Sequence, residues 1–443
     1  MSAAGSKGRR SPLELLHPDG VAAAALVLGD AIPPRLRPLA QEAHLVDLAV
    51  AAVDDVGAAA QRLAEDGVLF VAGSPRSARA AVVSAGLVAG PTILHLHGGG
   101  SRRFLVPLES VRHALDRLVP GVGWKGRTAR VGVRVGAAPL LPLLTPAGVV
   151  GRPPGARPLF DWLRLEAGIE AAAPIVSYGD RPSLLVHSGG DQVAKLGPVA
   201  AEAETLRELG PAARAAGAHV PEPLRTGAVA GLPLLVETVL PGRPAASELR
   251  RGGAARYLGL VGGWLERWNS ATAARRPLSE ADLERAVLSP LATLDLPDAY
   301  VHRVRDLCAR VTGRTVPLVA AHHDLTTANV LVGDGLGVVD WDTAEAAALP
   351  LTDFFYAVAD ARSAADGFAD RAASFAAMFA ADGTPAAEVA ELQARLVSTL
   401  GLEPDVVELC FHACWLRHAA NEAARADQMR PFGEIVRRVA AAT

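Results

Sequence analysis

The residues best able to do chemistry lie in one stretch of the chain, from Ala320 to Asp342. A short apolar run leads into the loop HHDLTTAN, which carries Asp324 and Asn329. Two further apolar runs flank a Gly-Asp-Gly turn, a pattern typical of a tight β-hairpin, and Asp340 stands at the end of the second run. The pattern therefore predicts that three oxygen-bearing side chains are brought to one place.

Phosphoryl transfer is the chemistry that this set of side chains fits. It needs hard oxygen ligands for Mg²⁺ and one carboxylate that orients, or accepts a proton from, the attacking hydroxyl. We predict Asp324 as that base and Asn329 and Asp340 as the metal ligands, because the protein-kinase pattern has a loop Asp, an Asn five positions later and a metal-binding Asp after a hairpin. The alternative is a polar loop whose Asp and Asn side chains only hydrogen-bond the turn backbone.

At these residues the chain resembles the aminoglycoside phosphotransferase and choline kinase-like family, which shares the protein-kinase fold. HHDLTTANVLV…VVDWD is similar to the family's H-G-D-x-x-x-x-N…I-D-W/F-[DE], except that His323 stands where Gly is commoner. The resemblance implies an α+β bilobal, protein-kinase-like domain that transfers the γ-phosphate of ATP, with Mg²⁺, to a hydroxyl of a small molecule. It leaves open whether Asp342 is a third metal-side carboxylate or a loop brace.

The same resemblance assigns residues 158–240 to a small, nucleotide-binding lobe. Such lobes place a Lys on the third strand, where it reaches the phosphates, and pair it with a Glu on the next helix. Lys195 in QVAKL and Glu202 in EAETL stand at these positions. Glu204, about 200° further round the helix, is expected to be solvated. The alternative for Lys195 is an edge-strand side chain that reaches solvent.

A predicted buried strand, Leu232 to Leu240, is similar to the strand and hinge that follow this helix in the family. The resemblance places hydrogen bonds to the adenine on the backbone near Glu237, Thr238 and Val239. Residues 241–443 would then form the large, mostly helical lobe. Asp353 in PLTDFF is expected to brace the catalytic loop through hydrogen bonds.

Within residues 19–130, the chain from about residue 20 to residue 98 alternates apolar strands with helices, which favours βαβ units and a parallel sheet. Their order resembles part of a class I methyltransferase, or Rossmann-like, domain, but the loop after Leu28 lacks the glycines of a nucleotide or S-adenosylmethionine loop. We interpret this part as a degenerate α/β Rossmann-like domain, structural or regulatory, with methyl transfer as an alternative. The predicted strands are Ala23–Leu28, Leu45–Ala51, Val68–Ala72 and Thr92–Leu96, and the predicted helices are Pro34–Ala43, Val56–Glu65 and Pro75–Ala85.

Composition excludes several classes of protein. The net charge of −3 and the scattered basic residues give no electrostatic footprint for nucleic acid. No apolar signal segment follows the basic N-terminus, so residues 1–18 are expected to be a disordered tail. Prolines interrupt the apolar stretch within residues 131–157, which is predicted to be a Pro/Gly-rich connector and not a transmembrane segment. The three cysteines form no C-x-x-C pair and are expected to be buried thiols in a reducing cytoplasm.

Two classes of function remain. The first is an ATP- and Mg²⁺-dependent kinase that acts on a hydroxyl of a sugar, an amino alcohol or a related metabolite. The second is a catalytically weak binding or scaffold protein with a retained nucleotide pocket, for instance in surface-polysaccharide biosynthesis. The presence together of Lys195, Asp324, Asn329 and Asp340 favours the enzyme, because kinase-like proteins without activity typically lose one of them.

Overall fold

The computed structural model describes residues 12–16, 19, 25–28, 45–97, 103–115, 131, 133, 136–170, 174–178, 184–187, 191–229, 231–250, 252–424 and 431–442. Most of the predicted tail and the predicted helix Pro34–Ala43 lie outside these residues. The chain divides into two compact units. The first unit comprises Met1–Ala203 with Pro223–Val239, and the second comprises Glu204–Glu222 with Leu240–Thr443.

The strands, numbered along the chain, are β1 (Ala25–Leu28), β2 (Val46–Ala52), β3 (Leu63–Ala72), β4 (Val88–His97), β5 (Arg103–Pro107), β6 (Ala147–Arg152), β7 (Ile175–Tyr178), β8 (Leu184–His187), β9 (Gln192–Leu196), β10 (Ala218–His219), β11 (Pro223–Val229), β12 (Leu232–Thr238), β13 (Arg243–Pro244), β14 (Ala274–Pro277), β15 (Thr315–Ala321), β16 (Val330–Val332), β17 (Leu336–Val338) and β18 (Glu345–Ala348).

The α-helices are α1 (Val56–Gln61), α2 (Pro75–Ser84), α3 (Val111–His113), α4 (Asp161–Leu165), α5 (Ala200–Ala215), α6 (Ala245–Leu249), α7 (Ala254–Thr272), α8 (Glu280–Leu283), α9 (Ser289–Ala292), α10 (Asp298–Val311), α11 (Thr352–Ala365), α12 (Arg371–Met378), α13 (Ala387–Leu400), α14 (Pro404–Ala423) and α15 (Pro431–Ala441). Short 3₁₀ segments are Pro12–Leu16, Val53–Asp55, Leu108–Ser110, Ala138–Leu143 and Trp341–Thr343, and Glu284–Leu288 is a π-helical segment.

One sheet of 11 strands runs through the first unit in the order β1-β2-β3-β6-β4-β5-β7-β8-β9-β12-β11. Strands β1, β2 and β3 are parallel neighbours, as the alternating pattern predicted. From β3 onward every neighbouring pair is antiparallel, so the prediction of a parallel sheet is wrong for the fourth predicted strand, which is β4. A mixed sheet of this order does not confirm the Rossmann-like interpretation.

The predicted connector, residues 131–157, contains strand β6, which lies between β3 and β4 in the sheet. Its apolar residues are buried between these neighbours, so this part of the chain does not serve as a linker. A Cβ added at Gly148 would lie 2.7 Å from the Val71 carbonyl oxygen of β3, so glycine permits the close approach of the two strands. The sequence pattern missed β6 because pairing with β3 and β4 is a non-local property that the nearby prolines obscure.

The first helix is shorter than predicted. It ends at Gln61, and β3 begins at Leu63, which pairs with Val46 of β2. The segment from Arg62 to Glu65 has good helix formers, but pairing along β2 prevails over that local preference. Sheet formation thus outweighs propensity at this boundary.

The strand predicted to carry Lys195, the helix predicted to follow it and the strand predicted at Leu232–Leu240 are present as β9, α5 and β12. Strands β7, β8 and β9 are consecutive antiparallel neighbours, and β9 also pairs with β12. Helix α5 follows β9 directly. The core of the first unit runs along this sheet, and it includes Leu48, Phe70, Trp162, Val186 and Val236.

The second unit is mostly helical and carries the predicted hairpin. Strand β16 pairs antiparallel with β17, and the Gly333 N–H donates to the Gly335 carbonyl across the turn at 3.0 Å. Trp264 and Trp268 of α7 are fully buried, and their rings are stacked with centres 5.7 Å apart. In the described residues, no helix combines the length and the apolar character that crossing a membrane requires.

Candidate active site

Lys195 lies on an interior strand and not on an edge, because β9 has β8 on one side and β12 on the other. Its ammonium Nζ is 2.5 Å from Oε1 of Glu202, on the first turn of α5. Both side chains are buried, with 8% and 3% of their surface exposed, whereas Glu204 is exposed. The predicted ion pair is therefore present, and the alternative of an edge lysine in solvent is wrong.

Glu237 has a contact that the sequence did not predict. The resemblance assigned it a backbone contact with adenine, but its side-chain Oε1 is 2.9 Å from Nζ of Lys195. The sequence feature that could have indicated this contact was an acidic residue within LPLLVETVL, an otherwise apolar strand segment. Near the predicted hinge, the Val239 N–H donates to the Asp191 carbonyl at 2.6 Å, so that donor is used within the protein. The adenine contacts of Glu237, Thr238 and Val239 stay a prediction.

The loop between β15 and β16 begins with a bend at His323. Its φ is 63°, in the left-handed region, which explains why glycine is common at this position in the resembled family. The backbone N–H groups of His322 and His323 each donate to one oxygen of the Asp353 carboxylate at 2.7 Å. Asp353 lies in the first turn of α11 and is buried. The prediction that Asp353 braces this loop is confirmed.

A second carboxylate of α11 holds the other part of the loop. Oδ2 of Asp360 accepts hydrogen bonds from both N–H and Oγ1 of Thr327, each at 2.7 Å. Arg371, at the start of α12, donates to Oδ1 of Asp360 at 2.7 Å and neutralises its charge. Asp360 follows Asp353 by seven residues, or about two turns, so both project from one face of the helix. Sequence reasoning missed Asp360, whose only local signal is an Asp within the buried segment FFYAVADA.

Asp324 lies between these two anchored parts of the loop, and Asn329 bonds directly to it. Its Nδ2 donates to both the side-chain Oδ2 and the backbone carbonyl of Asp324, at 3.0 Å each. Asn329 is buried and Asp324 is partly exposed. These hydrogen bonds fix the orientation of the Asp324 carboxylate and of the Asn329 amide.

The end of the hairpin is bonded to the same loop. The Val339 N–H donates to the Asn329 carbonyl at 2.9 Å, and Nε2 of His322 donates to the Val339 carbonyl at 3.1 Å. Asp340 follows with φ 69° and ψ 62°, a left-handed conformation that Asp tolerates better than most residues. These hydrogen bonds join the loop that carries Asp324 and Asn329 to the hairpin end next to Asp340. That the three side chains form one site stays a prediction. Asp342, two residues on, is exposed.

His322 is a neutral structural member of this assembly. Its Nδ1 accepts a hydrogen bond from the Asp324 N–H at 3.3 Å, which leaves the proton on Nε2. Burial lowers the pKa of this imidazole, with the charges of Asp353 and Asp340 acting in the opposite direction. The ring also packs edge-on against the fully buried Trp341, with ring centres 5.0 Å apart. The loop is thus fixed from its apolar side as well.

Asp324 also influences Tyr356, a buried residue of α11. Burial raises the pKa of this phenol, and the negative charges of Asp324 and Asp360 raise it further. The phenol is therefore a neutral hydroxyl.

We expect Asp360→Asn to lower the free energy of unfolding by about 1.5–3 kcal/mol, the range for hydrogen bonds to a charged group. The variant weakens the bonds to Thr327 and deprives Arg371 of its counter-ion. Urea unfolding would measure the loss. Asp306→Asn is the matched control, because Asp306 is an exposed Asp within a helix. Equal unfolding midpoints for the two variants would show that Asp360 is no anchor.

Comparison with known proteins finds a similarity to phosphotransferases. Residues 173–393 match the family model APH, described as the phosphotransferase enzyme family. This part of the chain is similar to that family. It includes Lys195, Glu202, Asp324, Asn329 and Asp340, so the family's segment contains the whole of the predicted site. The match does not extend over residues 19–130.

Solved structures similar to this chain include phosphotransferases and kinases of low identity. Aminoglycoside phosphotransferase APH(3'')-Id from Streptomyces rimosus is 16% identical, with 57% of this chain and 94% of that chain covered and a TM-score of 0.35. A choline/ethanolamine kinase family protein from Mesorhizobium loti is 19% identical, with coverages of 59% and 90% and a TM-score of 0.35. A thermostable mutant of aminoglycoside phosphotransferase APH(4)-Ia is 16% identical, with coverages of 60% and 91% and a TM-score of 0.39. The search of curated proteins gave no match.

Proposed function

We propose that the protein is an ATP- and Mg²⁺-dependent phosphotransferase that transfers the γ-phosphate to a hydroxyl of a small molecule. The acceptor class is a sugar, an amino alcohol or a related metabolite. The observation that carries the proposal is that Asp324 and Asn329 are hydrogen-bonded on one braced loop, which is joined to the hairpin end next to Asp340, within a segment that matches a phosphotransferase family model. Three free, buried thiols support a reducing, cytoplasmic location.

Asp324 is the proposed catalytic residue. Enzymes that transfer phosphoryl groups act mostly by positioning and electrostatic stabilisation, and one carboxylate orients the attacking hydroxyl. Asp324 is partly exposed, so an acceptor can reach it, and Asn329 holds its Oδ2 at 3.0 Å. Two carboxylates, Asp353 and Asp360, fix the backbone on either side of it. The rigidity of the loop supports the role of an orienting base.

Asn329 and Asp340 are the proposed Mg²⁺ ligands. Among the described residues, no group of three or more His, Cys, Asp or Glu side chains could hold a metal ion by itself. This fits Mg²⁺ in a kinase, since the ion usually takes one or two protein ligands and completes its shell with substrate phosphates and water. When bound, the ion would neutralise charge on the transferred phosphoryl group. The donor set, one amide oxygen and one carboxylate, has the hard oxygen ligands that Mg²⁺ prefers.

Lys195 is the proposed ligand of the ATP phosphates, with Glu202 as its positioning partner. The backbone from Glu237 to Val239 is the proposed site of adenine hydrogen bonds. A compact ammonium suits a phosphate contact, and Glu202 at 2.5 Å holds it in place. The scaffold alternative is not favoured, because each residue that the reaction needs is present.

The proposal is tested by incubating the protein with ATP, Mg²⁺ and libraries of hydroxyl metabolites, and by measuring ADP release. Calorimetry with and without Mg²⁺ measures the affinity for ATP and its dependence on the ion, independently of turnover. ATP consumption that depends on one class of acceptor would support the proposal. If ATP bound but no acceptor produced ADP above background, the scaffold alternative would replace it.

We expect Lys195→Arg to lower kcat/KM for ATP by about tenfold or more. The guanidinium keeps the positive charge but cannot occupy the place of a compact ammonium between two buried carboxylates, so the phosphate contact is displaced. A charge-assisted contact is worth about 1.5–3 kcal/mol, or about tenfold to a hundredfold. Steady-state kinetics measure the loss, and Glu204→Gln on the exposed face of α5 is the control. A variant as active as the control would remove Lys195 from the phosphate site.

A further inference from the structure

Lys195 has two carboxylate partners that come from different elements. Glu202 projects from helix α5, and Glu237 projects from strand β12. Their Oε1 atoms lie 2.5 Å and 2.9 Å from Nζ, and 3% of each side chain is exposed. An ammonium held by one carboxylate can swing about that contact. A second carboxylate on another element fixes its direction as well.

The register of the sheet accounts for this arrangement. Leu235 of β12 stands directly opposite Lys195 of β9, and Glu237 stands opposite Val193. Residues two apart on a strand share a face, so Glu237 lies diagonally beside Lys195 on the same side of the sheet. Glu202 then approaches the ammonium from the helix that follows β9. The chain thus builds the group from one strand pair and one helix.

The group joins one ammonium to two carboxylates, and all three side chains are buried. Burying a carboxylate costs free energy that an apolar residue would not, and the three residues before Glu237 on β12, which are Leu234, Leu235 and Val236, are apolar and buried. Packing alone would therefore favour an apolar residue at this position. What the carboxylate contacts is the ammonium of Lys195, 2.9 Å away.

We propose that Glu237 is a second positioning residue for Lys195. This inference rests on the proposed phosphotransferase function, in which Lys195 contacts the phosphates of ATP. Glu202 and Glu237 together aim the ammonium, and the negative charge of each carboxylate weakens its attraction for a phosphate in the ground state. Removing Glu237 should therefore have two opposite effects. The phosphate is held less well for transfer, but ATP is bound no less tightly.

The experiment compares Glu237→Gln, Glu202→Gln and the double variant with wild type, with Glu204→Gln as the exposed control. Glu237→Gln should lower kcat by about three- to tenfold, as for one weakened polar contact, while KM for ATP stays equal or falls. The double variant should lose more than either single variant. A merely structural role would not separate kcat from KM in this way. If Glu237→Gln matched Glu204→Gln in both constants, the inference would be overturned.

A second measurement does not depend on turnover. The chain has only Lys7, Lys125 and Lys195 as lysines, so ¹³C-labelled lysine gives a spectrum with few signals, and Lys195→Arg identifies the one that belongs to Lys195. Glu237→Gln should shift the Lys195 signal and leave the other two unchanged. An unmoved Lys195 signal overturns the inference. If Glu237→Gln did not fold, Glu237→Met, which suits the apolar strand, would take its place.

The two arms separate this inference from the function on which it rests. A wild-type protein that consumes no ATP with any acceptor would contradict the proposed function, while the NMR comparison would still decide whether Glu237 positions the ammonium. A protein that turns over ATP but shows neither the kcat effect nor the shifted signal in Glu237→Gln would keep its function and lose this inference.

Discussion

Asp324→Asn is expected to lower kcat by about 10²- to 10⁴-fold, the range for removal of a positioned general base, while the affinity for ATP changes little. The reason is that the carboxylate is proposed to act on the acceptor hydroxyl and not on the nucleotide. The variant should also fold normally, because the carboxamide oxygen of an Asn at this position can still accept the hydrogen bond that Asn329 donates at 3.0 Å. Turnover and ATP binding by calorimetry are the measurements.

The control for Asp324→Asn is Asp334→Asn. Asp334 lies in the turn of the same hairpin and is exposed, so the same chemical change there should leave kcat unaltered. Urea unfolding of both variants would show whether a loss of turnover comes from a loss of stability or from the loss of the base. Near-normal turnover by Asp324→Asn with the true acceptor would show that Asp324 is not the base.

The local part of the site could be predicted from the sequence. The hairpin, its turn and the spacing of Asp324, Asn329 and Asp340 are all encoded within about two dozen consecutive residues. Short antiparallel strands joined by a tight turn have few alternative registers, so the order of residues nearly determines which side chains meet. Lys195 and Glu202 are also close in sequence, on a strand and on the helix that follows it. For both groups of residues, the order of residues within a short stretch of the chain was sufficient for the prediction.

The long-range part could not be predicted. Glu237 reaches Lys195 only because β12 pairs with β9 in one register, and Asp360 reaches Thr327 only because α11 packs against the loop. Neither register nor helix packing follows from the local pattern. What the sequence did show was an acidic residue inside an apolar segment in each case. A buried carboxylate requires a partner, so such residues are the ones to examine for hidden contacts.

The strand β6 illustrates the same limit at the level of the fold. Its residues are apolar and its length is that of an ordinary strand, but Pro142 and Pro146 precede it and obscure the pattern. Its place between β3 and β4 joins residues about 80 positions apart, as in the pair Phe70 and Val150. Such a pairing turns a predicted linker into an interior strand. The first domain and the small lobe therefore share one sheet, where the sequence suggested a boundary.

Asp340→Ala is expected to remove the Mg²⁺ dependence of ATP binding. Wild type should bind ATP about tenfold to a hundredfold more tightly with Mg²⁺ than without, the equivalent of a charge-assisted contact, and the variant should show no such difference. Calorimetric titrations with ATP, at fixed Mg²⁺ and with EDTA, measure both values. The proposed reason is the loss of a carboxylate ligand, which Asn329 alone cannot replace.

Backbone strain must be separated from the loss of the ligand, because Asp340 has φ 69°. Alanine in this left-handed conformation costs about 1–2 kcal/mol, whereas Asn tolerates it and keeps an oxygen without the charge. Asp340→Asn should therefore fold as wild type does, yet lose most of the Mg²⁺ dependence. Asp342→Ala changes an exposed carboxylate two residues away and tests whether Asp342 is a metal-side ligand, which the sequence left open. We expect this variant to keep the Mg²⁺ dependence of wild type. If Asp342→Ala abolished the Mg²⁺ effect and Asp340→Asn preserved it, the metal ligand would be Asp342.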